Sequence, residues 1–578
     1  MPSRTGRVHV ATTTRNYKGK VYRTYLLRRT YRVGKQVKHE TLGNISHLPD
    51  ALIDIIRRSL AGESFVSAEK SFTIERSLPH GHVQAVLGTL RQLGVEKLIG
   101  SKRCRQRDLV VAMIAERLLH PGSKLAAVRS WKATTLADEL AVEDATEDEL
   151  YDALDWLLKR QPRIEKKLAR QHLGEGAVVL YDITSSYYEG HCCPLAQFGH
   201  NRDGKKDRPI IVYGVLADAD GRPVAVEVYE GNTGDPTTVP DQVEKLQKQF
   251  GLERVVLVGD RGMLTETQIG KLKEHPGLGW VSALRSGAIR ELADSGALQL
   301  SLFDEQNLAE IRSPAYPGER LMACYNPLLA EERKRKRKEL LEATEKELTR
   351  IGKQVARRSK TPLKKDEIAL QVGAVLNRFK MGKHFALTIE DGQFDWRRRT
   401  ETIRREAELD GIYVIRTSEP EGPSWSAADT VRRYKSLAQV ERVFRTLKGI
   451  DLRVRPIFHR TPDHVRAHIF LCLLAYYVEW HMRRALAPLL FADEQLPEDR
   501  LSHDPVAPAE PSVAAKKKKR LRQTADGLPV HSFSTLLAEL GTRCRNTCRT
   551  NADGSGASFP LLTKLTPLQA KAYQLLGL

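Results

Sequence analysis

The stretch AVVLYDITSSYYEG, residues 177–190, decides how this chain reads. Five residues suited to a buried strand, 177–181, lead straight into Asp182. Ionised carboxylates are seldom fully buried without a partner. Taken alone, Asp182 reads equally well as a strand cap or the start of a turn. A second short apolar strand, 255–258 in ERVVLVGDRGM, is followed in the same way by Asp260. In open α/β sheets ligands sit where the strands end. The two aspartates are therefore expected to converge at one sheet edge, although they lie far apart in sequence.

The surrounding pattern supports a mixed sheet. RPIIVYGVLA and RPVAVEVYEG flank Asp218-Ala219-Asp220-Gly221, a hairpin signal. DPTTVPDQVEKLQKQF and TETQIGKLKEH have helical period, and GWVSAL reads as a further strand. The expected order is β-β-β-α-β-α-β, an α/β core over residues 176–285. Residues 81–175 are helical in period. Residues 286–416 read as an inserted domain with a long charged helix, AEERKRKRKELLEATEKELTRIGKQVARRSK, then strands around an Asp391-Gly392 hairpin turn. Residues 417–490 return to helical period and complete the core. Residues 491–578 read as a proline-bearing linker with a basic run at 516–520, then a short helical tail.

A third carboxylate comes from RRYKSLAQVERVFRTLKGI. Leu437, Val440, Phe444 and Leu447 define one helix face. Glu441 falls on or beside that stripe and is expected to face inward. Tyr434 and Lys448 lie seven residues to either side, nearly two turns or about 10 Å along a helix, so the three should line one face. Three inward acids repel unless cations neutralise them. Hard divalent ions held by carboxylates, water and phosphate are the usual solution, and two such ions about 4 Å apart suit phosphodiester chemistry.

The balance of charge agrees. There are 93 Lys+Arg against 72 Asp+Glu, a net charge of +21, which favours polyanionic partners. Residues 1–40 carry eleven Lys or Arg and one acid, Glu40, in a basic β-hairpin pattern with a Gly34-Lys35 turn. A length of 578 residues suggests about three to five domains. There is no run of 18 apolar residues and no secretory leader pattern, so no membrane role is expected. Seven cysteines, an odd number, do not form a disulfide framework, and a reducing, cytoplasmic location is expected. The adjacent thiols in HCCPLAQFGH do not match zinc-ligand spacing.

Together, the acids and YKSLAQVERVFRTLK resemble the DDE transposases of bacterial insertion sequences, in the branch with a Tyr-x2-Arg-x3-Glu-x6-Lys signature. GDRGM and DGIYVIRTS are also similar to that family. The resemblance implies a ribonuclease H-like core with an insertion between the second and third acids. It implies Asp182, Asp260 and Glu441 as catalytic and metal-holding residues, with two Mg²⁺ or Mn²⁺ ions. Tyr434 and Lys448 match the signature's Tyr and Lys. Its Arg falls on Leu437, which leaves Arg433 or Arg445 to replace that contact. Arg261, Trp396, Arg397 and Arg398 complete the expected DNA contacts; for Trp396, core packing and stacking on an unpaired base both remain open. The implied partners are double-stranded DNA, as element ends and target, and a second copy in a homodimeric synaptic complex. A metal-dependent phosphohydrolase and a catalytically silent DNA-binding derivative are the alternatives. Residues 1–80 are the expected basic DNA-binding region.

Overall fold

The computed structural model describes residues 6–63, 65, 71–299, 303, 307–496, 503–550 and 556–578. It separates into two compact units: residues to Leu78 with Arg545–Thr563, and Pro79–Cys544 with Lys564–Leu578.

The first unit begins with an antiparallel meander of β1 (Arg7–Tyr17), β2 (Lys20–Val33) and β3 (Gln36–Asn44). Two tight turns connect the strands. The expected one is at Gly34; at the other, Lys18 and Gly19 both have positive φ, 48° and 75°, as a two-residue hairpin loop requires. Helix α1 (Asp50–Leu60) packs on this meander, with Ile53 buried and Arg57 donating to Thr12 Oγ1 at 3.2 Å. A second small sheet joins β4 (Phe72–Pro79) to β15 (Cys544–Thr550) and β16 (Ser558–Leu562) in the order β16-β15-β4. The C-terminal region is thus more than a helical tail. The basic run at 516–520 also lies in a helix, Val513–Leu521, and residues 497–502 of the expected linker are outside the described residues.

The second unit is built on an eight-stranded mixed sheet in the order β10-β11-β14-β9-β8-β5-β6-β7. Its centre follows the expected order: β5 (Ala177–Tyr187), β6 (Ile210–Asp218), β7 (Pro223–Glu230), a short helix at Val239–Glu244, β8 (Val255–Val258), helix α2 (Glu266–Lys273) and β9 (Leu278–Ala283). β5, β6 and β7 are antiparallel, whereas β8 and β9 run parallel to β5. At the β6–β7 turn Gly221 has a φ of 82°, and the Asp218 carboxylate accepts from the amides of Asp220 and Arg222.

Residues 286–416 are not one insertion. β10 (Leu308–Ile311), β11 (Arg320–Tyr325) and β14 (Ile412–Thr417) extend the main sheet, with β14 pairing antiparallel to β9. They cover what would otherwise be an apolar sheet edge. Only the material between β11 and β14 forms a separate body: α3 (Pro327–Arg357), α4 (Lys365–Phe379), the hairpin β12 (Phe385–Glu390) and β13 (Gln393–Arg398), and a short helix, Thr400–Ala407. Leu341, Leu348, Ile351, Val372, Phe385 and Phe394 form its own core.

The helices of residues 81–175 share the main core with the sheet and with α7 (Pro462–Ala485), which is buried along most of its length. α5 (Ala427–Lys435) and α6 (Leu437–Lys448) lie just before it. No helix among the described residues is long and apolar enough to cross a membrane.

Because the inserted body has its own core, damage to it should stay local. Leu348→Ala, at a fully buried position, is expected to cost about 2–5 kcal/mol. Hydrogen exchange should show lost protection in α3, α4 and the β12–β13 hairpin, with β5, β6 and β8 unchanged. Loss of protection throughout the sheet would show that the body is not independent.

Candidate active site

The register of two parallel strands brings the first two acids together. β5 pairs with β8 from Ala177↔Val255 to Leu180↔Val258. Asp182 and Asp260 both lie two residues beyond that last pair. β8 stops there, but β5 does not. Its other edge stays paired with β6 through Asp182↔Val215 to Tyr187↔Ile210. Asp182 is therefore mid-strand rather than at a strand end, because ITSSY, rich in β-formers, keeps its partner.

Asp182 Oδ1 accepts from the Ile183 amide at 2.8 Å. Burial pushes its carboxyl up to about 7; the charges of Asp260 and Glu441 add to the shift, and the Ile183 amide and Arg202 oppose it. Asp260 begins a tight turn. Its Oδ1 accepts from the Gly262 and Met263 amides at 3.0 and 2.8 Å, and a Cβ on Gly262 would sit 3.3 Å from that oxygen. The sequence GDRGM thus holds the carboxylate by its own backbone.

Glu441 differs from expectation. α6 buries Val440, Val443, Phe444 and Leu447 and leaves Glu441 exposed. The helix packs over β5, with the Phe444 ring edge-on to Tyr213 of β6 at 6.0 Å. Glu441 stands at the rim of that contact, close enough for its charge to act on Asp182. Tyr434 is not on the same helix, because the chain breaks at Ser436 between α5 and α6. Yet Tyr434 meets the same acids. Burial pushes its phenol up to about 12, raised further by Asp260, Glu441 and Asp182 and opposed by Arg261. The exposed Arg261 accepts at its carbonyl from Arg285 Nε at 3.3 Å. Arg445 is exposed on α6. The half-buried Arg433 stacks on Trp425 at 4.3 Å and donates to the Ser424 carbonyl.

Lys448 is not free. Its ammonium donates to the Ser185 carbonyl and to Asp203 Oδ1, the latter at 3.0 Å, and burial lowers its pKa. Asp203 also pairs with Arg455 and accepts from the Tyr187 amide. Sequence reasoning missed Arg202, Asp203 and Arg455; the only signal was the polar density of NRDGKKDR after the first strand. The β13 residues lie elsewhere, in the inserted body. Trp396 packs edge-on against Phe385 at 5.7 Å, Arg398 forms a two-pronged pair with Glu345, and Arg397 is exposed.

The acids offer only oxygen donors, which suits hard divalent ions. Among the described residues no three carboxylate, imidazole or thiolate groups stand close enough to share one ion. Asp182 feels the charges of Asp260 and Glu441, but the three acids do not converge on one point.

A family model described as the transposase DDE domain matches residues 174–478. The chain belongs to this DDE transposase family. A second model, the N-terminal domain of IS1634 family transposases, matches residues 10–70. The protein is a bacterial insertion-sequence transposase, an enzyme of DNA cleavage and strand transfer. Its family is in general dependent on divalent metal. No curated protein matches the chain. Among solved structures, a piggyBac transposase synaptic complex with hairpin DNA is similar at 10% identity, with 79% of this chain and 76% of that one covered and a TM-score of 0.35.

The raised Asp182 pKa makes a signed prediction for the metal-free protein. An acid whose folded pKa exceeds its unfolded value stabilises the fold only while protonated. Its contribution falls as pH rises from about 4 to about 7. In chelator, Asp182→Asn should melt above wild type at pH 8, and the gap should close toward pH 4. A gap independent of pH would contradict the assigned burial.

Proposed function

We propose that Asp182, Asp260 and Glu441 are the catalytic acids of a ribonuclease H-like core that cuts at the terminal inverted repeats of its own element and joins 3′-hydroxyl ends to target DNA. The observation that carries this reading is a shared one: Asp182 and Tyr434, on different elements, both have pKa values raised by burial and further by the charges of Asp260 and Glu441. The strand order β7-β6-β5-β8-β9, three antiparallel strands followed by two parallel ones, supports the core assignment. Two Mg²⁺ or Mn²⁺ ions held by these acids would activate an attacking oxygen and stabilise the leaving one.

The protein's own groups have distinct parts in this scheme. Asp182 is fixed by β5 and disfavours its own charge, so it binds a cation in preference to remaining bare. Asp260 keeps one oxygen on its turn amides, which leaves the other for a ligand. Glu441, at the exposed rim, closes the site from the side on which DNA arrives. Tyr434 keeps its proton at any working pH and donates a hydrogen bond rather than acting as a base. The exposed Arg261 and Arg445 supply phosphate contacts. The basic meander β1–β3 supplies further DNA contacts, and synapsis of two ends calls for a homodimer.

Cleavage of an end-containing duplex tests the assignment. Asp182→Asn, Asp260→Asn and Glu441→Gln should each lower cleavage by orders of magnitude while leaving end binding intact, and chelator should abolish cutting by wild type. A triad variant that cuts at the wild-type rate removes that residue from the site. Binding should weaken steeply with salt. Arg445→Ala should weaken it on all sequences and lower the log–log slope by about 1, the signature of one phosphate contact. An unchanged slope would place Arg445 away from the backbone.

A further inference from the structure

Five residues beyond Asp182 on the same strand, a second charged centre of opposite sign is held by one carboxylate. The Asp203 side chain is only 2% exposed. Its Oδ2 accepts from the Tyr187 amide at 3.1 Å, and its Oδ1 takes both the Lys448 ammonium, at 3.0 Å, and the Arg455 guanidinium. Arg455 also donates through Nε to the Lys448 carbonyl at 3.3 Å, tying the two cations together at the end of α6. The loop bearing Asp203 is itself pinned to β5: Ser185 Oγ donates to the His200 carbonyl at 3.2 Å and accepts from the Arg202 amide at 3.1 Å.

One buried acid against two cations leaves an excess positive charge. It faces a cavity of about 480 Å³, whose other walls include Tyr187, Lys205 and Arg453. Lys205 lies over the Tyr187 ring at 4.0 Å. Lys448 spends two of its three N–H donors, on Ser185 and Asp203, which leaves one for a ligand. Burial disfavours the Lys448 charge, and Asp203 offsets part of that effect. Without Asp203, the ammonium would lose its fixed direction and part of its hold on the proton.

We infer that Asp203 is a positioning residue for the transposase reaction: it locks Lys448 and Arg455 into a rigid cation pair that grips a DNA phosphodiester flanking the one cut at Asp182. Strand rise sets the spacing. Ser185, whose carbonyl holds Lys448, is three residues from Asp182, about 10 Å along β5. That reach suits a neighbouring phosphate rather than the scissile one. The inference rests on the proposed site, because it assigns the cut to Asp182.

The test compares Asp203→Asn, Asp203→Glu, Lys448→Ala and Asp203→Asn/Lys448→Ala, measuring single-turnover cleavage at saturating protein and end-DNA affinity by gel shift, with Asp182→Asn as the control. Asp203→Asn should lose about 10- to 100-fold in cleavage, the scale of a misplacement near 1 Å, with affinity changed by less than about threefold. Asp203→Glu, which keeps the charge but lengthens the arm, should fall between Asp203→Asn and wild type. The double variant should lose less than the product of the two single losses, because the carboxylate acts in part through the lysine. Wild-type cleavage by Asp203→Asn, or losses that multiply in the double variant, would overturn the inference. If Asp203→Asn does not fold, Asp203→Glu decides: slowed cleavage with intact binding supports positioning, and a wild-type rate overturns it. If Asp182→Asn cuts normally, the parent site assignment fails instead.

Discussion

Four residue pairs between β5 and β8 set Asp182 and Asp260 side by side. With Leu180 opposite Val258, the next residues but one on both strands are aspartates. A slip of one residue would turn one of those side chains to the opposite face of the sheet. The slip is resisted by burial, since Val179, Leu180, Val255, Val256, Leu257 and Val258 are all essentially inaccessible to water. The hydrophobic effect therefore holds two charges beside each other that electrostatics alone would separate. The desolvation of Asp182 is the cost of that arrangement, and under the proposed assignment it favours a bound cation there.

β5 is more than a support for one acid. Along its continuation, a negative centre at Asp182 gives way to a cationic one gathered around Ser185 and Tyr187. α6 spans both, contributing Glu441 to the first and Lys448 to the second, while its apolar residues seal the sheet beneath. A strand and a helix thus carry centres of opposite charge side by side.

The central element order and the hairpin turns at Gly34, Gly221 and Gly392 were legible because they depend on local pattern: apolar runs, helical period, and glycine where φ must be positive. The neighbouring placement of Asp182 and Asp260 was legible because each follows a short apolar strand. Three features depended on distant partners and were not. The persistence of β5 through Tyr187 follows from its pairing with β6. The capture of β10, β11 and β14 by the main sheet follows from the bare edge of β9, which sequence period does not reveal. Asp203 meets Lys448 from a loop far upstream, so no spacing rule points to it. Of the expected stripe on α6, Val440, Phe444 and Leu447 are buried, but Leu437 is only half-buried and Val443 joins the apolar face, which leaves Glu441 on the solvent side. The break at Ser436, between two segments of matching period, is likewise invisible to a count of residues.

The small sheet β16-β15-β4 has a consequence for how the protein is made. Its first strand leaves the ribosome early, and its partners follow several hundred residues later. At about 5–20 residues per second, β4 waits roughly half a minute to a minute and a half for β15. During that interval it is an open strand edge, the kind of surface that invites pairing with another chain. Only a chain translated through β15 closes that edge.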